Sequence, residues 1–268
     1  MRFCIQPRQK YTQLMTTNSS FAEQLKGLDR PPRIALIGAM DQEIELLKNS
    51  LDDLESRSIC GFDFYTGTMH GVEVVLLKSG IGKVNAAIGT TLLLQAFSPD
   101  CVINTGSAGG FDSRLNVGDV VISDEVRHHD VDVTVFGYEP GQVPGLPPAF
   151  TADPLLARMA EECISQLPHT NTVRGLIATG DSFMNCPERV AHTRKIFPAM
   201  QAVEMEAAAI AQTCHQFETP FIVIRALSDI AGKESNLSFE QFLDTAAKHS
   251  AEMVMALVQR IAEYHSKH

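Results

Sequence analysis

The 268-residue chain reads as a single α/β domain built on a mixed central sheet. Short β-branched runs alternate with helical stretches from about residue 33 to 265, and neither a linker nor an internal repeat interrupts them. Hairpin-like material in the first half adds antiparallel pairs to an otherwise strand–helix–strand pattern. The composition, 44% hydrophobic and 20% charged, is that of an ordinary globular chain.

Charge narrows the partners. The 32 acidic residues outnumber the 22 basic ones, giving a net charge of -10, and an acidic surface repels phosphate backbones. No apolar run reaches the length needed to span a bilayer. Neither nucleic acid nor membrane is therefore expected as a partner. Six cysteines (Cys4, Cys60, Cys101, Cys163, Cys186 and Cys214) are scattered without a C-x-x-C pair, which argues against a zinc knuckle or a disulfide framework. Reduced cysteines in apolar runs pack as small hydrophobes, and a cytoplasmic setting suits them.

Residues 1–32 are rich in Gln, Thr, Asn and Ser and end at Pro31-Pro32, so they read as a flexible extension ahead of one domain over 33–268. The run Arg33-Ile34-Ala35-Leu36-Ile37-Gly38 is a buried parallel-type strand stopped by glycine. A helix over 41–51 follows, with Ile44, Leu47 and Leu51 on one face. Glu43 then lies in its first turn, just past a strand's carboxyl end, where open α/β sheets place their sites. An acid there also favours the helix dipole, so Glu43 alone decides nothing.

Strands over 59–65 and 72–78 are predicted next, joined through Thr68-Met69-His70-Gly71. Ser79-Gly80-Ile81-Gly82-Lys83 then opens a helix to about residue 97; it lacks the spacing of a phosphate-cradling loop and reads as a tight strand-to-helix turn. A strand over 101–104 leads into Thr105-Gly106-Ser107-Ala108-Gly109-Gly110. Its small residues let backbone approach a ligand closely, or form a plain turn.

A strand over 117–126 precedes Arg127-His128-His129-Asp130-Val131-Asp132. Adjacent histidines on a strand face opposite ways, so no metal site is expected there. The stretch 136–150 carries three glycines and four prolines and reads as a long functional or interface loop. A helix over 153–167 has Asp153 as cap and Pro154 at its first position. A strand over 174–179 ends at Gly180-Asp181, and a short helix is predicted over 187–197.

Gln201 to Ala209, QAVEMEAAA, reads as a buried strand entering a helix over about 205–217. Glu204 and Glu206 flank Met205 there, where an uncompensated carboxylate would be costly, so they are candidate ligand groups. The run 221–226 is the clearest buried strand and delivers Asp229 at its carboxyl end. The last helix is predicted from Ser238, with Gln241 completing a capping box. Phe239, Phe242, Leu243, Ala246, Met253, Val254, Leu257 and Ile261 are expected on its sheet-facing side.

Glu43, Glu206 and Asp229 thus stand at strand ends or helix starts, a pattern suited to acid/base chemistry on a small molecule and no more specific than that. Motif wording goes further. Gly38-Ala39-Met40 followed by Glu43, then Lys78 to Lys83, Asn104 to Gly110, Val203-Glu204-Met205-Glu206 and Arg225 to Asp229 occur in that order. Together they resemble the bacterial 5'-methylthioadenosine/S-adenosylhomocysteine nucleosidases, within the purine and uridine phosphorylase family, over about residues 33–265.

That resemblance implies a partly barrel-like sheet flanked by helices, a nucleoside phosphorylase-like fold. It also implies cleavage of the N-glycosidic bond between adenine and a 5'-thioribose, through a transition state of oxocarbenium character, with no cofactor and no metal. Glu43 would deprotonate the water and Asp229, placed by Ser228, would protonate adenine. Met205 and Glu206 would hold the ribose, with Arg225 and Glu204 in support and Ser107 and Gly109 lining the sugar side. Phe183 would stack on adenine, whose edge would meet main chain at Phe183 or Met184. Met40, Ile81 and Phe239 match the lining for the 5'-thio group, while Phe136 and Pro144 match positions that reach across a homodimer interface.

Departures from the family pattern are mild: Asp41-Gln42 replaces more acidic pairs, Met184 stands where relatives carry a branched aliphatic residue, and Cys186 lies beside the adenine-side motif. Expected substrates are methylthioadenosine, adenosylhomocysteine and 5'-deoxyadenosine. The rivals are a futalosine-type nucleosidase, a phosphate-dependent nucleoside phosphorylase and a non-catalytic nucleoside-binding protein. Phosphorylases of this fold place an arginine three residues before the pocket serine; here that residue is Asn104, which favours hydrolysis.

Overall fold

The computed structural model describes residues 20–112, 114–164, 171–233 and 235–267. Its centre is strand β5 (Cys101–Gly110), buried along its whole length. One edge of β5 pairs in parallel with β10 (Phe221–Ile230), from Val102 to Gly110. The other edge changes partner. Cys101 to Asn104 pair in parallel with β1 (Arg33–Gly38), whereas Gly109 and Gly110 pair antiparallel with β9 (Met200–Glu204).

This change of partner gives the sheet two parts. β10 pairs with β6 (Val120–His128), β6 with β8 (Thr172–Thr179), β8 with β9, and β9 returns to β5, so five strands close into a mixed barrel. From β1 an open arm continues through β4 (Val72–Lys78), β3 (Phe62–Met69) and β2 (Asp52–Ile59). The two-residue β7 (Phe150–Thr151) pairs with β6.

Helices cover both faces. α7 (Ser235–Ser266) lies against β5 and β10 and packs with α2 (Asp41–Asn49) and α4 (Pro154–Cys163). Leu47, Ile103, Leu156, Ile224, Val254 and Leu257 meet in that core. On the opposite face α3 (Lys83–Phe97) packs against α6 (Ala207–Gln216), where Ala207, Ala208 and Ala211 allow close approach. α5 (Pro187–Ile196) shields a smaller cluster of Phe111, Met184, Val190 and Met200. Asp153 caps α4 by accepting from the Leu155 and Leu156 amides, as expected.

Several expectations are corrected. β2 was not anticipated, because nearly every residue in it is exposed and it carries no apolar run; it is a charged edge strand. Cys60 and Gly61, both at positive φ, turn β2 back into β3, so the strand expected over 59–65 begins later. The small-residue stretch 105–110 is strand interior rather than a turn. α7 starts at Ser235 instead of Ser238, and Phe242, 40% exposed, stands off the apolar face.

The expected extension also divides. Residues 1–19 lie outside the described residues, as do the last residues of the helix expected over 153–167. Helix α1 (Phe21–Lys26), however, has a Ser20–Glu23 capping box and buries Phe21 and Leu25 in the core beside α2 and α7. Arg30 forms a two-pronged pair with Asp100 at 2.9 and 2.8 Å, fixing the chain just before Pro31-Pro32. The prolines therefore do not mark the edge of the packed body. Among the described residues, no helix is long and apolar enough to cross a membrane.

Candidate active site

The cleft opens where β5 passes from β1 to β9. Gly109 pairs with Asp229 on one side and Val203 on the other, which brings the carboxyl ends of β5, β9 and β10 together. β1 ends nearby and delivers Glu43 from the first turn of α2. Glu43 is only 2% exposed. One oxygen accepts from the amides of Ala39 (2.8 Å) and Met40 (3.2 Å), and the other from the Ser107 amide and hydroxyl, both at 2.9 Å. Its two oxygens only accept, the pattern of a carboxylate.

Gly106 makes this arrangement possible. Its φ is +145°, and a Cβ there would stand 2.4 Å from Arg225 Nη1 and 2.6 Å from Glu43 Oε1. A side chain at 106 would displace both groups.

Arg225, 1% exposed, is bonded through both of its terminal nitrogens. Nη1 donates to the Thr105 carbonyl (3.2 Å), while Nη2 donates to Asn104 Oδ1 (2.8 Å) and to Glu204 Oε2, with Glu206 Oε2 further away at 3.6 Å. Its Nε is buried with no partner among the described residues. Glu204 also accepts from the Thr179 hydroxyl and from the amides of Glu206 (2.9 Å) and Ala207 (2.8 Å), at the start of α6. It is thus an internal strut that caps a helix and holds a guanidinium.

Glu206 is different. Apart from the Gly82 amide at 2.9 Å it has few partners, and it is 5% exposed. Burial, reinforced by the charge of Glu204, pushes its carboxyl up to about 8, although Arg225 works in the opposite direction. A group this poorly satisfied is free to take hydroxyls of a ligand.

Asp229 sits at an irregularity in the β10–β5 register and is 3% exposed. Burial raises its carboxyl to about 6, against the effect of the Ser228 hydroxyl, which donates to it at 2.9 Å. The cleft beside it is lined by Gly109, Ser182, Phe183, Met184, Val203, Glu204, Met205 and Asp229. Phe183, 39% exposed, meets Phe239 edge-on with centroids 5.8 Å apart. Two aromatic rings at the mouth suit a flat heterocycle.

Most of the expected residues therefore converge. Ile81 is 50% exposed and Phe136 is 78% exposed, with Pro144 also at the surface, so these three do not close the cleft within one chain. Thr179 and Ser182 were missed, while Gly82 and Val203 were quoted within motifs but given no role. Thr179 could have been noticed as the last residue of a predicted strand, but Ser182 gave no signal of its own. Among the described residues, no group of three His, Cys, Asp or Glu side chains could hold a metal ion.

Comparison with known proteins places this geometry. Residues 33–259 match the model of the phosphorylase superfamily. The chain is 62% identical over 229 residues to a 5'-methylthioadenosine/S-adenosylhomocysteine nucleosidase of Bacillus subtilis, covering 85% of this chain and 99% of that one. Among solved structures it resembles the nucleosidase of that name from Neisseria meningitidis bound to methylthio-immucillin-A (TM-score 0.84, 52% identity, 85% of this chain and 99% of the other). The corresponding enzyme of Colwellia psychrerythraea with adenine gives a TM-score of 0.85 at 51% identity, over 87% of this chain and 96% of the other.

Proposed function

We propose that this chain, which belongs to the phosphorylase superfamily, is a nucleosidase. It hydrolyses the N-glycosidic bond of 5'-methylthioadenosine and S-adenosylhomocysteine and releases adenine. Relatives about 60% identical over nearly their whole length carry that activity in their names. 5'-Deoxyadenosine, which differs only in the group that meets the apolar end of the cleft, is a further substrate.

Roles follow the chemistry. Glu43 takes a proton from water held against Ser107, on the face of the sugar opposite the departing base. Asp229 donates its proton to adenine, which stacks at Phe183 beside Met184. Glu206 and Met205 grip the ribose. Carboxyl oxygens of Glu43 and Glu206 flank the sugar side of the cleft and stabilise a sugar that turns cationic as the bond breaks. The reaction needs no cofactor.

One observation supports water over phosphate as the nucleophile. Both terminal nitrogens of Arg225, the cleft's buried cation, are committed to Glu204, Asn104 and Thr105. A phosphate entering here would meet carboxylates, and the guanidinium beside them is already bonded through both terminal nitrogens. With methylthioadenosine as substrate, the expected products are adenine and methylthioribose whether or not phosphate is present. Appearance of methylthioribose-1-phosphate in the phosphate arm would overturn the reading.

The protein acts as a homodimer in the cytoplasm. Ile81 (50%), just ahead of α3, and Val84 (69%) and Ile88 (45%) in its first turns are exposed, and the loop before Pro144 exposes Val135 (85%) and Phe136 (78%). Apolar surface of this kind is normally covered. Sedimentation should find a dimer for the unaltered chain and a shift toward monomer, with a raised KM, for Phe136→Asp. A monomeric, fully active unaltered protein would refute it.

A further inference from the structure

Lys83, Asp130 and Asp181, each from a stretch singled out in the sequence, take no part in the chemistry above. They meet at one point. Lys83 Nζ donates to Asp130 Oδ1 at 2.7 Å, the Asp181 amide donates to Asp130 Oδ2 at 3.0 Å, and the Lys83 amide donates to Asp181 Oδ1 at 2.8 Å. The three residues close a ring in which each is bonded to both others. Lys83 and Asp130 keep only 20% and 30% of their side chains exposed.

Each member belongs to a different wall. Asp181 begins the loop that carries Ser182, Phe183 and Met184 along the base side of the cleft. Lys83 begins α3, and the preceding Gly82 amide holds Glu206 at 2.9 Å. Two neighbouring amides at the head of α3 therefore take one carboxylate from the sugar side and one from the base side. Asp130 follows β6 and ties both by its two oxygens. The adjacent His129 amide bonds to the Thr179 carbonyl, so this anchor continues directly into β8 and β9.

We propose that the Lys83–Asp130–Asp181 ring is a positioning device that sets the distance between the base-holding loop and Glu206, and so governs how tightly the nucleoside and free adenine are held. It rests on the nucleosidase reading and adds residues that touch neither the substrate nor the attacking water. Acting through Phe183, Met184 and Glu206, the ring governs binding more than the chemical step, because Glu43 and Asp229 are held by other bonds.

Asp130→Asn preserves shape, but its amide nitrogen cannot accept, so one of the two ties is lost. Lys83→Met removes the charged tie, and Lys83→Arg retains it. Misplacing binding groups by about 1 Å is worth up to about 10²-fold. Asp130→Asn and Lys83→Met are expected to raise KM for methylthioadenosine and the calorimetric Kd for adenine by about 10-fold each, with kcat within about 3-fold. Their double variant should resemble either single one, since both open the same ring.

Lys83→Arg should recover most of the affinity. Unchanged adenine Kd in both single variants, a fall in kcat at constant KM, or a Lys83→Arg protein as impaired as Lys83→Met would overturn the assignment. Should Asp130→Asn melt well below the parent, the Met and Arg pair at 83 decides alone. An unaltered protein that releases no adenine would instead sink the nucleosidase reading, and calorimetry with adenine separates the two failures.

Discussion

Glu43→Gln is expected to lower kcat by about 10²- to 10⁴-fold, the usual worth of a positioned general base. The structure adds a cost that a change of one atom does not suggest. Both carboxylate oxygens accept two hydrogen bonds, from Ala39 and Met40 on one side and Ser107 on the other. Whichever way the amide is turned, its NH₂ faces donors. At least one buried amide proton loses its partner, worth about 1–3 kcal/mol. The variant should therefore melt a few degrees lower as well as turn over slowly. Steady-state adenine release together with calorimetric melting checks both. A rate near that of the unaltered protein would remove Glu43 from the role of base.

Asp229→Asn should cut kcat by a comparable factor, about 10²- to 10⁴-fold, yet move stability the other way. Burial lifts the Asp229 carboxyl from 3.8 to about 6. A folded-state pKa above the unfolded one gives stability that is fully present below 3.8 and is lost as pH rises through about 6. At neutral pH the ionised group costs the fold up to about 3 kcal/mol, which a neutral amide avoids. Melting temperatures of Asp229→Asn should exceed those of the parent above about pH 6 and converge toward pH 4.

The same group predicts a pH profile. As the acid, Asp229 must be protonated, so kcat/KM should fall as pH rises through about 6, and the limb should vanish in the Asn variant. A parent profile that is flat across that range, with normal turnover by Asp229→Asn, would exclude it as the proton donor.

How far the sequence carried this site depends on what kind of contact each residue makes. β1, β4 and β10 were legible because strands buried on both faces leave continuous apolar runs, and each run ends near a functional group. β2 was not, since an exposed edge strand obeys no such pattern. The three candidate carboxylates could be located by their strand ends, but their proposed division into base, acid and ribose ligand came from resemblance. Glu204 shows the limit. Two residues from Glu206 and equally buried, it differs by accepting the amides at the head of α6, and those are long-range consequences of how β9 enters that helix. Likewise Thr179 meets Glu204 only because β8 and β9 run side by side.

The change of partner along β5 means that, among the described residues, 105–108 have no strand on one edge: β1 stops pairing at Asn104, and β9 begins at Gly109. Into this missing stretch of ladder comes Glu43, which takes the Ser107 main-chain proton as well as its hydroxyl. Part of the grip on Glu43 is thus peptide backbone, common to any amino acid but proline placed at 107. Replacing Ser107 by alanine deletes one of those two bonds and leaves the other standing. Scanning side chains one at a time will for that reason understate what the interrupted ladder contributes, and only changes that restore or widen the interruption can reveal it.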